Sequence, residues 1–185
     1  MGLCVFLDSD DEITNNCIEL LVNPLKRYAY DVVIGNYITV GGVKECELRL
    51  NPGPILGNNK IMTEFLDNRW YAMAWNKLYR TQFIRENQLR FKEGCVHEDE
   101  LWSFQVALCA ESMYAITAET YKYLINPTSI MATMTYTNHY NSWAIILSEM
   151  LNSARVRSKY SDYNVFNYIE TLKSDITCEA YKHLT

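Results

Sequence analysis

The sequence predicts an α/β fold, in which a sheet is flanked by helices and a helical hairpin follows at the carboxyl end. The apolar run Cys4–Leu7 is typical of a buried parallel strand. Residues 31–40 are rich in β-branched and aromatic side chains, as strands are. The last part of the chain carries apolar residues at helical spacing. A chain of 185 residues is long enough for one core, or for a sheet domain with a helical extension.

The opening strand runs directly into an acidic segment, Asp8–Glu12. Carboxylates at the carboxyl end of such a strand lie where open α/β sheets place their ligands. Because alternate side chains of an extended backbone point the same way, Asp8 and Asp10 are able to share one cation. Mg²⁺ or Mn²⁺ takes one or two carboxylates and completes its shell with water and phosphate oxygens. An acidic turn that caps the next helix is the alternative, and the two interpretations are weighed evenly.

The elements that follow are assigned from turn residues, β-branched runs and helical spacing. The first half of the chain is predicted to form a helix over 13–22 that ends or kinks at Pro24, a strand over 31–40, a second strand over 45–50, a turn over 51–54 and a helix over 60–66. A further helix begins with Glu98, Asp99 and Glu100 and buries Leu101, Phe104 and Leu108. A strand over 112–125 follows it.

Two apolar stripes near the carboxyl end predict packing faces of a helical hairpin, not a cofactor site. They comprise Trp143, Ile146, Leu147, Met150, Leu151 and Ala154 in one helix and Phe166, Ile169, Leu172 and Ile176 in the other. Residues 160–163 are predicted to link these helices. We expect a first domain over 1–130 and a helical extension over 131–185.

Composition argues against several classes of function. Lys and Arg total 17 against 22 Asp and Glu, a formal charge of -5, so nucleic-acid binding has no electrostatic support. The six cysteines are scattered and form no CxxC pair, which indicates reduced thiols and a cytosolic compartment. No stretch approaches the roughly 20 apolar residues of a membrane span.

Three segments stand in an order that is similar to a known family. They are Phe6–Asp11, Ala74–Arg80 and His97–Glu100, with residues 83–91 between the last two. Together they resemble the bacterial family 2 glycosyltransferases, which have the GT-A fold and build surface polysaccharides. The resemblance covers most of residues 3–130. It implies the carboxyl-terminal part of a GT-A-like mixed sheet.

The resemblance also implies a donor site for a nucleotide sugar, most simply a UDP-sugar. Asp8 and Asp10 correspond to the DxD motif and would hold Mg²⁺ or Mn²⁺ against the diphosphate. Asp11 and Lys77 are the other expected diphosphate-binding residues. A lysine paired with a nearby acid is the alternative for Lys77.

The acceptor side is implied in the same way. Asp99 is the expected base that takes the proton of the acceptor hydroxyl, with Glu98 beside it, in a single displacement with inversion. Trp75 and Asn76 are expected to bind a glycan or lipid-linked acceptor. For Trp75 a core position is weighed equally with this role. The alternative for the acids at 98–100 is that they only complement the dipole of the helix that they begin.

Members of the family normally place a nucleotide-binding βαβ region before the DxD strand, so we expect a truncated domain with weak donor binding in isolation. The open strand edge predicts either association into homo-oligomers or a rearranged first segment. The expected location is cytoplasmic or peripheral at the inner membrane. An inactive interaction module derived from such an enzyme, and a nucleotidyltransferase, are the alternative functions. For His97 and His139 an ordinary polar role is favoured over metal ligation.

Overall fold

A six-stranded mixed sheet organises the computed structural model, which describes residues 2–42, 48–129, 133–159 and 162–184. The strands are β1 (Leu3–Val5), β2 (Glu12–Ile13), β3 (Val32–Val40), β4 (Gly53–Leu56), β5 (Lys77–Arg80) and β6 (Ser112–Leu124). The helices of these ranges are α1 (Cys17–Val22), α2 (Asn58–Leu66), α3 (Thr81–Glu86), α4 (Glu98–Cys109), α5 (Tyr136–Val156) and α6 (Tyr163–Leu184), with a 3₁₀ turn at Asn23–Lys26.

The strand order is β1-β5-β3-β6-β2, and β4 also pairs with β6. Strands β3 and β6 are parallel, whereas the other pairs are antiparallel. Because β1 opposes β5 and β5 opposes β3, β1 runs in the same direction as β3 and β6. Strand β1 points toward the ends of β3 and β6, but it lies beside the first residues of β3, with Val5 level with Val33 across Leu78. The ends of β3 and β6, at Val40 and Leu124, form the carboxyl edge of the sheet. Their opposite side, where β3 and β6 begin, is the amino edge.

The β3–β6 pair shifts register between Ile34 and Asn36. Gly35 lies at this irregularity, and a Cβ there would meet Thr120 Oγ1 at 2.4 Å. A larger residue would therefore push the two strands apart. The Gly35 amide donates to the Asn76 carbonyl at 3.0 Å, so the same irregularity holds the start of β5.

The main core lies between the sheet and helices α2, α4, α5 and α6. It includes Val32 and Ile34 from β3, Phe104 from α4, Ile146 from α5 and Ile169 from α6. The helical hairpin thus shares one core with the sheet. The predicted α/β class, with a mixed sheet, flanking helices and a hairpin of α5 and α6, is confirmed. The domain boundary at 130/131 stays a prediction, since residues 130–132 lie outside the described ranges.

The opening strand differs from the prediction of a buried parallel strand. It pairs antiparallel with β5 and is only half-buried, with Leu3 37% and Leu7 52% exposed. Helix α1 begins at Cys17 instead of Ile13, because Glu12 and Ile13 pair with β6. The predicted change at Pro24 is confirmed by the 3₁₀ turn.

Other elements were placed less well by pattern. The proposed strand over 45–50 lies partly outside the described residues, and 48–50 are not in a strand. The end of the proposed turn over 51–54 belongs to β4, and the short elements β5 and α3 are not predicted at all. In α6, the predicted stripe residues Ile169, Leu172 and Ile176 pack against the core, whereas Val165 is fully buried in place of Phe166, which is 39% exposed. No helix of the described residues is both long and apolar enough to cross a bilayer.

Candidate active site

A tight acidic turn lies at the carboxyl edge, between β1 and β2. The Asp11 amide donates to the Asp8 carbonyl at 3.2 Å and closes the turn. Tyr121 of β6 accepts from the Asp8 amide at 3.1 Å, and its hydroxyl donates to Asp11 Oδ2 at 2.8 Å. The Leu124 amide donates to Asp11 Oδ1 at 2.8 Å. Both carboxylate oxygens of Asp11 are therefore engaged in holding the turn, and the structure gives this predicted donor-binding residue an anchoring role.

The first two aspartates of the turn point outward. Asp8 and Asp10 are exposed, and Asp10 accepts from the Asn126 side chain at 2.9 Å. Within the described ranges no donor bonds the Asp8 carboxylate. Partial burial raises the pKa of Asp8, and the charges of Asp11, Asp10 and Glu98 raise it further. Because the charge of Glu98 acts on Asp8, the start of α4 lies near the acidic turn.

The start of α4 presents the second acidic group. His97 precedes the helix in the left-handed region, at φ 64°, and Glu98, Asp99 and Glu100 fill the first turn. Burial raises the pKa of Asp99 to about 6, and the Glu98 charge adds to the shift, while Lys77 and the backbone amides of residues 99 and 100 oppose it. Burial and the Asp99 charge raise the pKa of Glu100 to about 7. Carboxyl groups with pKa values near neutrality are suited to proton transfer.

The two histidines near the site bind each other. His97 Nε2 lies 2.9 Å from His139 Nδ1, and the His97 ring stacks on Trp143 at 4.8 Å between centroids. Burial and His139 lower the pKa of His97 to about 4. This contact ties the start of α4 to α5. Among the residues that the structure describes, no group of three or more His, Cys, Asp or Glu side chains is arranged to hold a metal ion.

Lys77 is not placed to bind a diphosphate. Its side chain is 0% exposed, and Nζ donates to the carbonyls of Tyr71 and Met73 and to Asn76 Oδ1. Burial lowers the pKa of Lys77 to about 7, although Asp99 and Glu100 raise it. The prediction of a diphosphate contact is wrong, because every proton of this ammonium group is directed into the protein.

The predicted acceptor residues are also internal. Asn76 is 3% exposed, and its amide nitrogen donates to the Gly35 carbonyl at 3.0 Å. Trp75 is 8% exposed and stacks on Tyr121 at 4.1 Å between ring centroids. Of the two roles weighed for Trp75, the packing supports the core position. Asn76 does not present its amide to an acceptor, because both ends of that amide are satisfied inside the protein.

Tyr121 is the main site residue that the sequence reasoning missed. The sequence pattern places it only within the strand predicted over 112–125. The available signal was its position near the carboxyl end of a predicted strand, where ligand sites of α/β sheets lie. Its partner across 110 residues of sequence could not be found from the pattern.

The sheet order, the acidic turn at the carboxyl edge and the acidic start of α4 define a GT-A glycosyltransferase fold. The solved structure of S. aureus TarS in complex with UDP-GlcNAc has this fold: the TM-score is 0.64 at 17% identity, and the match covers 85% of this chain and 47% of that one. The model of the family described as glycosyl transferase family 2 matches residues 3–88. This similarity to the family covers just under half of the chain.

Two curated relatives agree with this assignment. The chain is 26% identical over 136 residues to glycosyltransferase GlyA of Streptococcus pneumoniae serotype 4. The aligned region covers 68% of this chain and 19% of the relative. It is 30% identical over 123 residues to the poly(ribitol-phosphate) beta-N-acetylglucosaminyltransferase TarP of Staphylococcus aureus strain N315, which covers 65% of this chain and 36% of the relative. The chain therefore spans well under half the length of either relative.

Proposed function

We propose that this chain forms the acceptor-side part of a metal-dependent glycosyltransferase that moves a sugar from a nucleotide-sugar donor to a hydroxyl of a glycan or lipid-linked acceptor. One observation carries the proposal. The exposed Asp8 of the acidic turn and Glu98 of α4 are close enough for the charge of one to raise the pKa of the other. The Phe6 ring, two residues before Asp8, also packs edge-on against Trp102 of α4 at 5.3 Å between centroids. From both contacts we infer that the two acidic groups share a space at the carboxyl edge.

The residues of the turn fit Mg²⁺ or Mn²⁺. Asp8 and Asp10 supply exposed carboxylate oxygens, the hard ligands that these ions prefer, and the Asp8 carboxylate has no competing donor among the described residues. When bound, the cation would neutralise charge on the diphosphate of the leaving nucleotide. Asp11 and Tyr121 would hold the turn rigid while the donor binds. TarS binds UDP-GlcNAc in its solved complex, which supports a UDP-sugar as the donor class.

Asp99 is the proposed base. The acceptor hydroxyl would pass its proton to the Asp99 carboxylate while its oxygen attacks the anomeric carbon. The bond from that carbon to the nucleoside diphosphate would break in the same step and the diphosphate would leave with the electron pair, with inversion and no covalent sugar intermediate. The pKa of Asp99, about 6, leaves it mostly ionised at pH 7 yet able to accept a proton. Glu98 would bind acceptor hydroxyls or orient Asp99. The relatives do not favour the alternative of an inactive interaction module, because each is named a glycosyltransferase.

The test uses the protein at its full natural length with UDP-sugars, Mn²⁺ and candidate acceptor glycans. Asp99→Asn should lower kcat by at least about a hundredfold, the usual contribution of a general base, and leave donor affinity within about twofold. Asp175→Asn, an exposed acid on α6, is the matched control and should keep full activity. Retention of more than about a tenth of the activity by Asp99→Asn would contradict the proposal.

A further inference from the structure

We propose that Lys77 is a positioning residue of the acidic start of α4: its buried ammonium group is the counter-charge that keeps Asp99 ionised and fixed in place. The inference rests on the proposed function, in which Asp99 is the base. It gives Lys77 a role in the proposed reaction without contact with the substrate.

The hydrogen bonds around Lys77 favour its charged form over the neutral amine that burial favours. Nζ contacts the Tyr71 carbonyl at 2.9 Å, the Met73 carbonyl and Asn76 Oδ1 at 2.7 Å. All three partners are acceptors, and only an ammonium group has three protons to donate. The orientation of the Asn76 amide follows from its other end, which donates to the Gly35 carbonyl. The ring of Trp70, 5.4 Å from Nζ, adds a further contact suited to a cation.

A further hydrogen bond brings the loop around this cation against the face of α4 that carries Asp99. Ser103 of α4 donates to the Ala72 carbonyl at 2.5 Å. Ala72 lies between Tyr71 and Met73, whose carbonyls hold Lys77. Ser103 follows Asp99 by four residues, so the two side chains share one face of α4. The face of α4 that carries the proposed base therefore packs against the loop that cradles the Lys77 ammonium.

The buried charges of Lys77, Asp99 and Glu100 compensate one another. A buried cation is costly unless opposite charge lies nearby. Asp99 and Glu100 of α4 supply that charge to Lys77. Further titratable neighbours are Glu98, the Tyr79 hydroxyl of β5 and, through Glu100, the Tyr168 hydroxyl of α6. In return Lys77 lowers the pKa of Asp99 and Glu100, against the effect of burial. Without the ammonium group, Asp99 would stay protonated to higher pH and a smaller fraction would accept a proton at pH 7.

The experiment compares pH profiles of kcat/KM for the full-length wild type, Lys77→Met and Ser103→Ala. Lys77→Met preserves most of the side-chain volume and removes the charge, so the acidic limb of the profile should move up by about one pH unit and activity should approach wild type at high pH. Ser103→Ala loses a contact with the loop but keeps the Lys77 charge, so the acidic limb of its pH profile should stay at the wild-type position. A Lys77→Met profile lowered by one factor at every pH indicates a purely structural role and overturns the inference.

A second measurement needs no variant and covers the case in which Lys77→Met does not fold. In the wild type, NMR titration would follow the Lys77 ¹⁵Nζ and Asp99 carboxyl ¹³C signals. Coupled groups respond at shared midpoints, so the Lys77 signal should shift where Asp99 titrates; no response overturns the inference.

Failure of the proposed function and failure of this inference give different results. An active Asp99→Asn contradicts the proposed function, whereas an inactive Asp99→Asn with an unshifted Lys77→Met profile contradicts the inference alone.

Discussion

The two ends of the central strands carry acids in opposite states. At the amino edge, Asp31 precedes β3 and is 6% exposed. Its Oδ2 accepts from the amides of Glu111 at 3.0 Å and Ser112 at 3.1 Å and from the Ser112 hydroxyl at 3.1 Å, while Oδ1 pairs with the Arg80 guanidinium. At the carboxyl edge, Asp8 has no such donor within the described part of the chain.

The difference teaches how the same side chain becomes structural or reactive. At Asp31 the carboxylate is saturated by donors that come from β5 and β6, so it joins three strands. At Asp99 burial and a like charge raise the pKa to about 6, and only backbone amides and Lys77 oppose this. Acids held without full compensation are costly to the fold, which is typical of functional sites. The comparison predicts that the amino edge serves stability and the carboxyl edge serves chemistry.

The largest expected effect on stability is at the amino edge. Asp31→Asn leaves the Arg80 guanidinium without its counter-charge and should lower the free energy of unfolding by about 3 kcal/mol, as the loss of one partner of a buried ion pair does. Urea denaturation measures the change. The exposed Asp175→Asn control should stay within about 0.5 kcal/mol. An equal effect of the two substitutions would remove the contrast between the edges.

The metal prediction concerns the acidic turn. The double variant Asp8→Asn, Asp10→Asn should weaken Mn²⁺ binding by at least about tenfold, because Mn²⁺ needs ionised oxygen ligands. Titration calorimetry with Mn²⁺ and UDP measures the affinity. Asp31→Asn should leave it unchanged where that variant is folded. An unaltered affinity in the double variant would place the metal elsewhere.

The pH dependence of stability sharpens the comparison at Asp99. The folded-state pKa, about 6, lies above the ordinary value of 3.8, so the folded protein binds this proton more tightly than the unfolded chain does. Wild-type stability should therefore fall relative to Asp99→Asn as the pH rises from about 4 to about 6, by about 2 kcal/mol. Denaturation at several pH values provides the two curves. If the difference in unfolding free energy between the two proteins stays constant across this range, the pKa of Asp99 is not raised in the folded protein.

The smallest effect is expected at the hydroxyl that anchors the turn. Tyr121→Phe removes the bond to Asp11 and the acceptor of the Asp8 amide, and it should cost about 1 kcal/mol. The ring still stacks on Trp75, so the core remains intact. Thermal unfolding measures the loss. A change as large as that of Asp31→Asn would mean that the turn is as structural as the amino edge.

Periodicity placed the long elements because their burial repeats along the sequence. Strand β3, helix α4 and the hairpin α5–α6 all have the predicted positions within a few residues. The short strands β1, β2 and β5 depend on distant partners, so the pattern could not show that β1 is half-buried or that β2 displaces the start of α1. Pairing across the sheet, rather than local sequence, decides such elements.

The site follows the same division. The acids of residues 8–11 and 98–100 were found because clusters at the ends of elements are visible in sequence. Lys77 and Asn76 look like exposed polar residues beside a tryptophan, yet the structure buries both. Their partners are backbone carbonyls and one another, which no sequence pattern reports. Burial of a polar side chain is decided by the three-dimensional environment.

The most direct test of the shared site is paramagnetic broadening by Mn²⁺ in the NMR spectrum. An ion held by Asp8 and Asp10 should broaden the backbone amides of residues 8–11 and of 98–100, because both groups face one space. The amides of Asp31 and Ser112 should be broadened much less, since Asp31 precedes β3 and Ser112 begins β6 at the opposite edge. Broadening that spares residues 98–100, or that centres on the amino edge, would contradict the account.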